Sequence, residues 1–113
     1  MNLAAYYNRL DKPDRAIEYA RRALELNPKS DDGYFQMAKA HQRKGEWARM
    51  AQAAELAISL NQRIASYYYV LGTAYRRLGK QAESQEALAI FQKLEKEAAE
   101  FEETRRQGRA LRK

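Results

Sequence analysis

Between residues 31 and 63, apolar, small or ring-bearing side chains fall in two sets: Tyr34, Met37, Ala38 and His41, then Met50, Ala54, Ala57, Ile58 and Leu60. A helix turns once in about 3.6 residues, so steps of three and four place each set on one helical face. Gly45 separates the sets. No strand-like alternation appears, and the segment predicts two antiparallel helices joined by a short turn.

The same arrangement returns along the chain. Thirty-four residues separate Gly45 from Gly79, and the same interval pairs Tyr34 with Tyr68, Met37 with Leu71, Ala38 with Gly72, His41 with Tyr75, Ala54 with Leu88 and Leu60 with Leu94. One step back, Leu3, Ala4, Tyr7, Leu10, Ala20 and Leu26 fall in register. A fixed period of this length marks a solenoid whose units cannot bury their apolar faces alone and must stack. First helices are expected over Leu3 to Leu10, Asp31 to Lys44 and Ile64 to Leu78, and second helices over Pro13 to Leu26, Trp47 to Leu60 and from Gln81 onward. Asp31 and Asp32, after Pro28 and Ser30, are expected to cap free amides at a helix start.

The run Tyr68-x2-Leu71-Gly72-x2-Tyr75, and Ala16-x3-Ala20-x2-Ala23 followed by Leu26-Asn27-Pro28, resemble the tetratricopeptide repeat. The resemblance implies an all-α fold, an α-α superhelix of helix-turn-helix repeats with right-handed winding, and a role as a protein–protein interaction scaffold. Met50 and Ser84 stand where that family prefers alanine, Phe91 stands opposite Ala57, and Gln62 replaces the proline that ends a unit. The chain reads as one domain over 1–113, with a truncated first unit (1–30), a second (31–63), a third (64–94) and a C-terminal helical extension (95–113). The first unit lacks its opening turn and leading aromatic, as expected of a piece cut from a longer array or of a natural array with a degenerate start. The short units and the Arg- and Ala-rich composition look bacterial.

Beyond Leu94 the helical pattern continues. Ala87, Phe91, Leu94, Ala98 and Phe101 form a stripe suited to a single seam, with Glu95, Glu97, Glu100, Glu102 and Glu103 leading and Arg105, Arg106, Arg109, Arg112 and Lys113 trailing. The seam implies a homodimer through this helix, with a cap over the last unit as the alternative. The basic residues around Gly108 are expected to fray.

With 113 residues and a 45% hydrophobic share, the chain can bury one core, and a second domain does not fit. Absence of cysteine excludes a disulfide framework and a thiolate metal site and is compatible with any compartment. No apolar run approaches membrane-spanning length. The net charge of +6 raises the question of nucleic acid, but the cations are spread: Arg15, Arg21 and Arg22 on one outer helix, Arg9, Arg43 and Arg77 at the ends of first helices, and the rest in the tail. That spread reads as a solvated surface and disfavours nucleic acid.

Arg9, Arg43 and Arg77 recur at the repeat interval. In the family this place lies toward the concave surface, so stacking would align them in a ladder. The same inward faces are expected to carry Asn8, Phe35, Gln36, Lys39 and Gln42, with Tyr69, Val70, Thr73 and Arg76 from the third unit. Forked arginine donors, amides and two aromatics suit an extended, acidic peptide or protein partner; the competing reading is that each arginine merely caps a helix C-terminus. Chaperone-binding members of the family clamp a terminal carboxylate with lysines, asparagines and an arginine. Here Met1, Ala5, Gln36, Ser66 and Val70 occupy those places, so that clamp is missing.

Nothing points to catalysis, a metal or a cofactor. His41, the only histidine, holds the place of Tyr7 and Tyr75 and reads as a packing residue, while Trp47 is expected to pack across its turn. Phosphate loops, nucleophile elbows and paired acids are missing from the sequence.

Overall fold

The computed structural model describes residues 1–111, with the side chains of residues 110 and 111 left aside, and they form six helices: α1 Leu3–Arg9, α2 Pro13–Leu26, α3 Asp31–Arg43, α4 Trp47–Leu60, α5 Ala65–Arg77 and α6 Gln81–Leu111. The expected second helices start and stop where the sequence predicts, and the first helices differ by one residue at their ends. No strand occurs among the described residues. Arg112 and Lys113 of the expected basic tail lie outside them.

Each pair of helices turns back through one left-handed residue: Asp11 at φ 57°, Gly45 at 70° and Gly79 at 79°. That conformation lets the third amide beyond the helix reach back, as Lys12 N to Tyr7 O, Glu46 N to His41 O and Lys80 N to Tyr75 O, all at 2.8 to 2.9 Å. Asp11 takes the glycine position because a short polar side chain tolerates left-handed backbone better than most.

Ser30, rather than the acids after it, caps α3: its hydroxyl accepts from the Gly33 amide at 3.0 Å. Asp31 and Asp32 reach to neighbouring helices instead. Asp31 accepts from the Tyr67 hydroxyl of α5 at 2.6 Å, and Asp32 from Asn2, before α1, at 2.5 Å.

Helices approach closely wherever small side chains face each other. The main core joins Ala38, Met50, Ala51, Ala53, Ala54, Val70, Leu71, Ala74 and Ala87, with Trp47 packed against it; a smaller cluster of Ala16, Ile17 and Ala40 lies under Tyr7. Ser84 is tolerated at an alanine position because its hydroxyl donates to the Gly72 carbonyl at 2.8 Å. The first helices pack in sequence, α1 with α3 and α3 with α5, whereas among the described residues the backbones of α2, α4 and α6 do not come close to one another. Such a stack is wedge-shaped in section, which puts α1, α3 and α5 on the inner, concave side.

α6 departs from this pattern. Its first turns bury Ser84 and Ala87 against α5, but every residue from Glu95 to Gln107 is exposed. Where fraying was expected, the helix continues through Gly108 to Leu111.

One exchange of volume tests the packing. A Cβ on Gly72 would lie 2.8 Å from Leu88, whereas the equivalent pair one unit earlier is Ala38 with Ala54. Gly72→Ala is expected to cost about 1–3 kcal/mol by overpacking. Adding Leu88→Ala, which copies the earlier pair, is expected to recover part of that loss, as a urea-denaturation cycle would read.

A second expectation concerns alkaline pH. Partial burial, then the hydrogen bond to Glu55, pushes the Tyr75 phenol up to about 12 from its ordinary 10.0. Its neutral form is favoured in the folded chain, so this contribution is full below the unfolded value near 10 and declines as pH rises from there through about 12. Tyr75→Phe is expected to flatten that part of the stability-against-pH curve, measured by chemical denaturation.

Candidate peptide-binding groove

Arg9 and Asn8 near the end of α1 meet Lys39, Gln42 and Arg43 on α3 around a recess of about 310 Å³. Of the three cations that border it, Arg9 and Arg43 sit in last turns, where helix C-termini favour positive side chains, and Lys39 lies one turn earlier on α3. Asn8 is the unusual member: it is only 3% exposed. Its amide donates to both the backbone carbonyl and the side-chain oxygen of Gln36, each at 3.0 Å, while Gln36 donates to Asp32 at 3.2 Å. This chain of donors fixes the amide orientations, since a backbone carbonyl and a carboxylate can only accept. The Asn8 Oδ1 atom is thereby left buried without a partner.

The predicted contact residues separate into groups. Arg9, Lys39, Gln42 and Arg43 come together in the recess. Gln36, expected to contact a ligand, is 6% exposed and fully engaged with Asn8 and Asp32, so it orients Asn8 rather than facing outward. Phe35 packs against Tyr67 with ring centres 4.8 Å apart and carries the Lys39 ammonium 5.3 Å from its own. Tyr69 is 53% exposed but leans on Phe91 of α6 at 5.2 Å, so the two expected aromatics have separate ring partners. Val70, also placed inward by sequence, is buried in the core. Thr73 donates to the Tyr69 carbonyl at 2.9 Å within α5, and Arg76 is exposed.

Two members of the arginine ladder already have neighbours. Arg43 reaches Asp11 at 3.4 Å, and the Arg77 guanidinium lies 4.9 Å from the Trp47 ring centre. Each thus reaches back to the turn of the preceding helix pair. Both contacts are solvent-facing and weak, which leaves the side chains free to exchange partners.

Tyr67 and Asp32 were missed as parts of the groove. The run Tyr67-Tyr68-Tyr69 offered three rings with nothing to say which faces α3. Burial, then its hydrogen bond to Asp31, raises the Tyr67 phenol far above its ordinary value, so it stays neutral and donates.

A tetratricopeptide-repeat model matches residues 1–40 and a second model of the same repeat matches residues 65–96. No curated protein matches the chain. The crystal structure of MamA is similar over 87% of this chain, with a TM-score of 0.80 and 24% identity; the chain spans 57% of that protein's length. The first tetratricopeptide domain of Spaghetti (RPAP3), bound to the HSP90 peptide SRMEEVD, is similar over 97% of this chain and 88% of its own, with a TM-score of 0.79 and 25% identity. The second such domain of the same protein, bound to the same peptide, covers 80% of this chain and 84% of its own, with a TM-score of 0.78 and 21% identity. Thirty-four-residue helix pairs, a wedge-shaped stack and two matching repeat models make this chain a member of the tetratricopeptide-repeat family.

Proposed function

We propose that the chain is a non-enzymatic interaction module that holds an extended, acidic stretch of a partner protein along the concave side of α1, α3 and α5. The recess bordered by Arg9, Lys39 and Arg43 carries this reading. A peptide laid over it would also cover Asn8, whose buried acceptor has no donor. A carboxylate on the same peptide would meet Arg9, Lys39 and Arg43. Phe35 offers an apolar wall beside Lys39, and Tyr69, Thr73, Arg76 and Arg77 extend the surface along α5. The likeness to domains bound to the acidic peptide SRMEEVD supports this use of the fold.

The probe is a short fluorescent peptide alternating glutamate and leucine, read by anisotropy. Binding is expected to weaken roughly tenfold between low and high salt, because exposed charges are screened. Arg43→Glu with Arg77→Glu should abolish it while the helical circular dichroism stays unchanged; retained affinity in that variant would remove the groove from consideration.

A second reading rests on α6. Phe101 is 63% exposed and shares a recess with Leu94, Ala98 and Arg63, on a helix whose residues from Glu95 to Gln107 are exposed. Two such helices pairing antiparallel would bury this seam and bring acidic Glu95–Glu103 near Arg105, Arg106 and Arg109 of the other copy. Sedimentation is expected to show a concentration-dependent dimer that Phe91→Glu with Phe101→Glu returns to monomer. A wild type that stays monomeric at high concentration would leave the helix as a cap.

A further inference from the structure

The internal repeat lets one furrow of this molecule serve as a control for its neighbour. Because the backbones of α2, α4 and α6 stay apart among the described residues, the outer face carries a furrow above α3 and another above α5. Arg21, His41 and Arg49 stand at three places in the first; thirty-four residues on, Glu55, Tyr75 and Glu83 stand at the same places in the second. The packing positions are shared and the charge is reversed.

In the second furrow the Tyr75 hydroxyl reaches across and donates to the Glu55 carboxylate. Imidazole is shorter than phenol, and His41 instead turns its Nδ1 to Glu46 at 2.9 Å. The first furrow therefore stays open as a recess of about 300 Å³ bordered by Arg21, His41, Arg49, Gln52, and the apolar bodies of Met37 and Leu56. No acidic side chain borders it, and among the described residues neither arginine forms an ion pair. Acids in the adjoining recess are mostly taken: Glu46 by His41 and Lys44, Asp14 by Lys44, and Glu18 by Arg22, leaving Glu25. His41 is buried, 5% exposed, and its ring borders both recesses.

Two guanidinium groups held across an acid-free recess concentrate positive potential and leave forked donors unfilled. We propose that this outer recess binds a phosphate monoester carried on an apolar or aromatic body. Arg21, Arg49 and Gln52 present more donors than the two oxygens of a carboxylate can use, and they suit the three terminal oxygens of a phosphate. Met37 and Leu56 would cover the body that carries it.

The test uses phenyl phosphate and inorganic phosphate as probes, titrated into the full chain and read by the phosphorus resonance of each probe and, in the wild type, by the ring resonances of His41. Phenyl phosphate is expected to shift the ring resonances and to bind about tenfold more tightly than inorganic phosphate, since it buries apolar surface as well. Arg21→Glu with His41→Tyr copies two of the three places of the second furrow, so it should fold with unchanged helical signal and lose the binding. Arg49→Ala should weaken it several-fold. Equal binding by the double variant and the wild type, or no His41 response to phenyl phosphate up to about 20 mM, would overturn the proposal. Equal affinity for the two probes would overturn the ester and leave free phosphate as the ligand.

Discussion

Close approach of helix pairs is the constraint on which the rest of this structure depends. Backbones can come near only where a small residue faces a residue of matching size, and the chain meets that need differently in successive units. Ala38 faces Ala54, while Gly72 gives up its Cβ to Leu88. The combined volume, not either residue, is what the fold conserves. Ser84 shows the same tolerance by another route, since its one polar atom finds the Gly72 carbonyl freed for it by the missing side chain.

Because packing is settled at so few places per unit, helix positions were legible in the sequence. Glycine and proline mark the ends, and apolar steps of three and four mark the faces; α2 and α4 are bounded as the pattern predicts. The candidate groove was legible in outline only. Recurrence placed Arg9, Lys39, Gln42 and Arg43 on one surface, and four of the recess residues do meet there. Which polar groups would be spent on each other was not readable. Gln36 bonds to a residue twenty-eight positions away and Tyr67 to one thirty-six away, and periodicity carries no information about such choices. Tyr69 failed for a related reason: Phe91 replaces an alanine of the preceding unit and offers a ring that draws it toward α6.

The acids at the start of α3 give the inner layer a direction. Asp31 and Asp32 are neighbours on one helix, about 100° apart around its axis, and so they reach opposite ways, toward α5 and toward α1. Both are satisfied by neutral donors, which ties the three inner helices together at one edge without placing a cation there. At the other edge the inner helices end in Arg9, Arg43 and Arg77, where the helix dipoles favour positive charge and only weak, exposed contacts hold the side chains. Negative charge is thus fixed and spent along one rim, while positive charge stands available along the other. An acidic peptide of the kind proposed would meet its attraction along the C-terminal rim, beside the buried, unpartnered acceptor of Asn8. The same asymmetry that holds the inner helices in register sets where such a chain would lie.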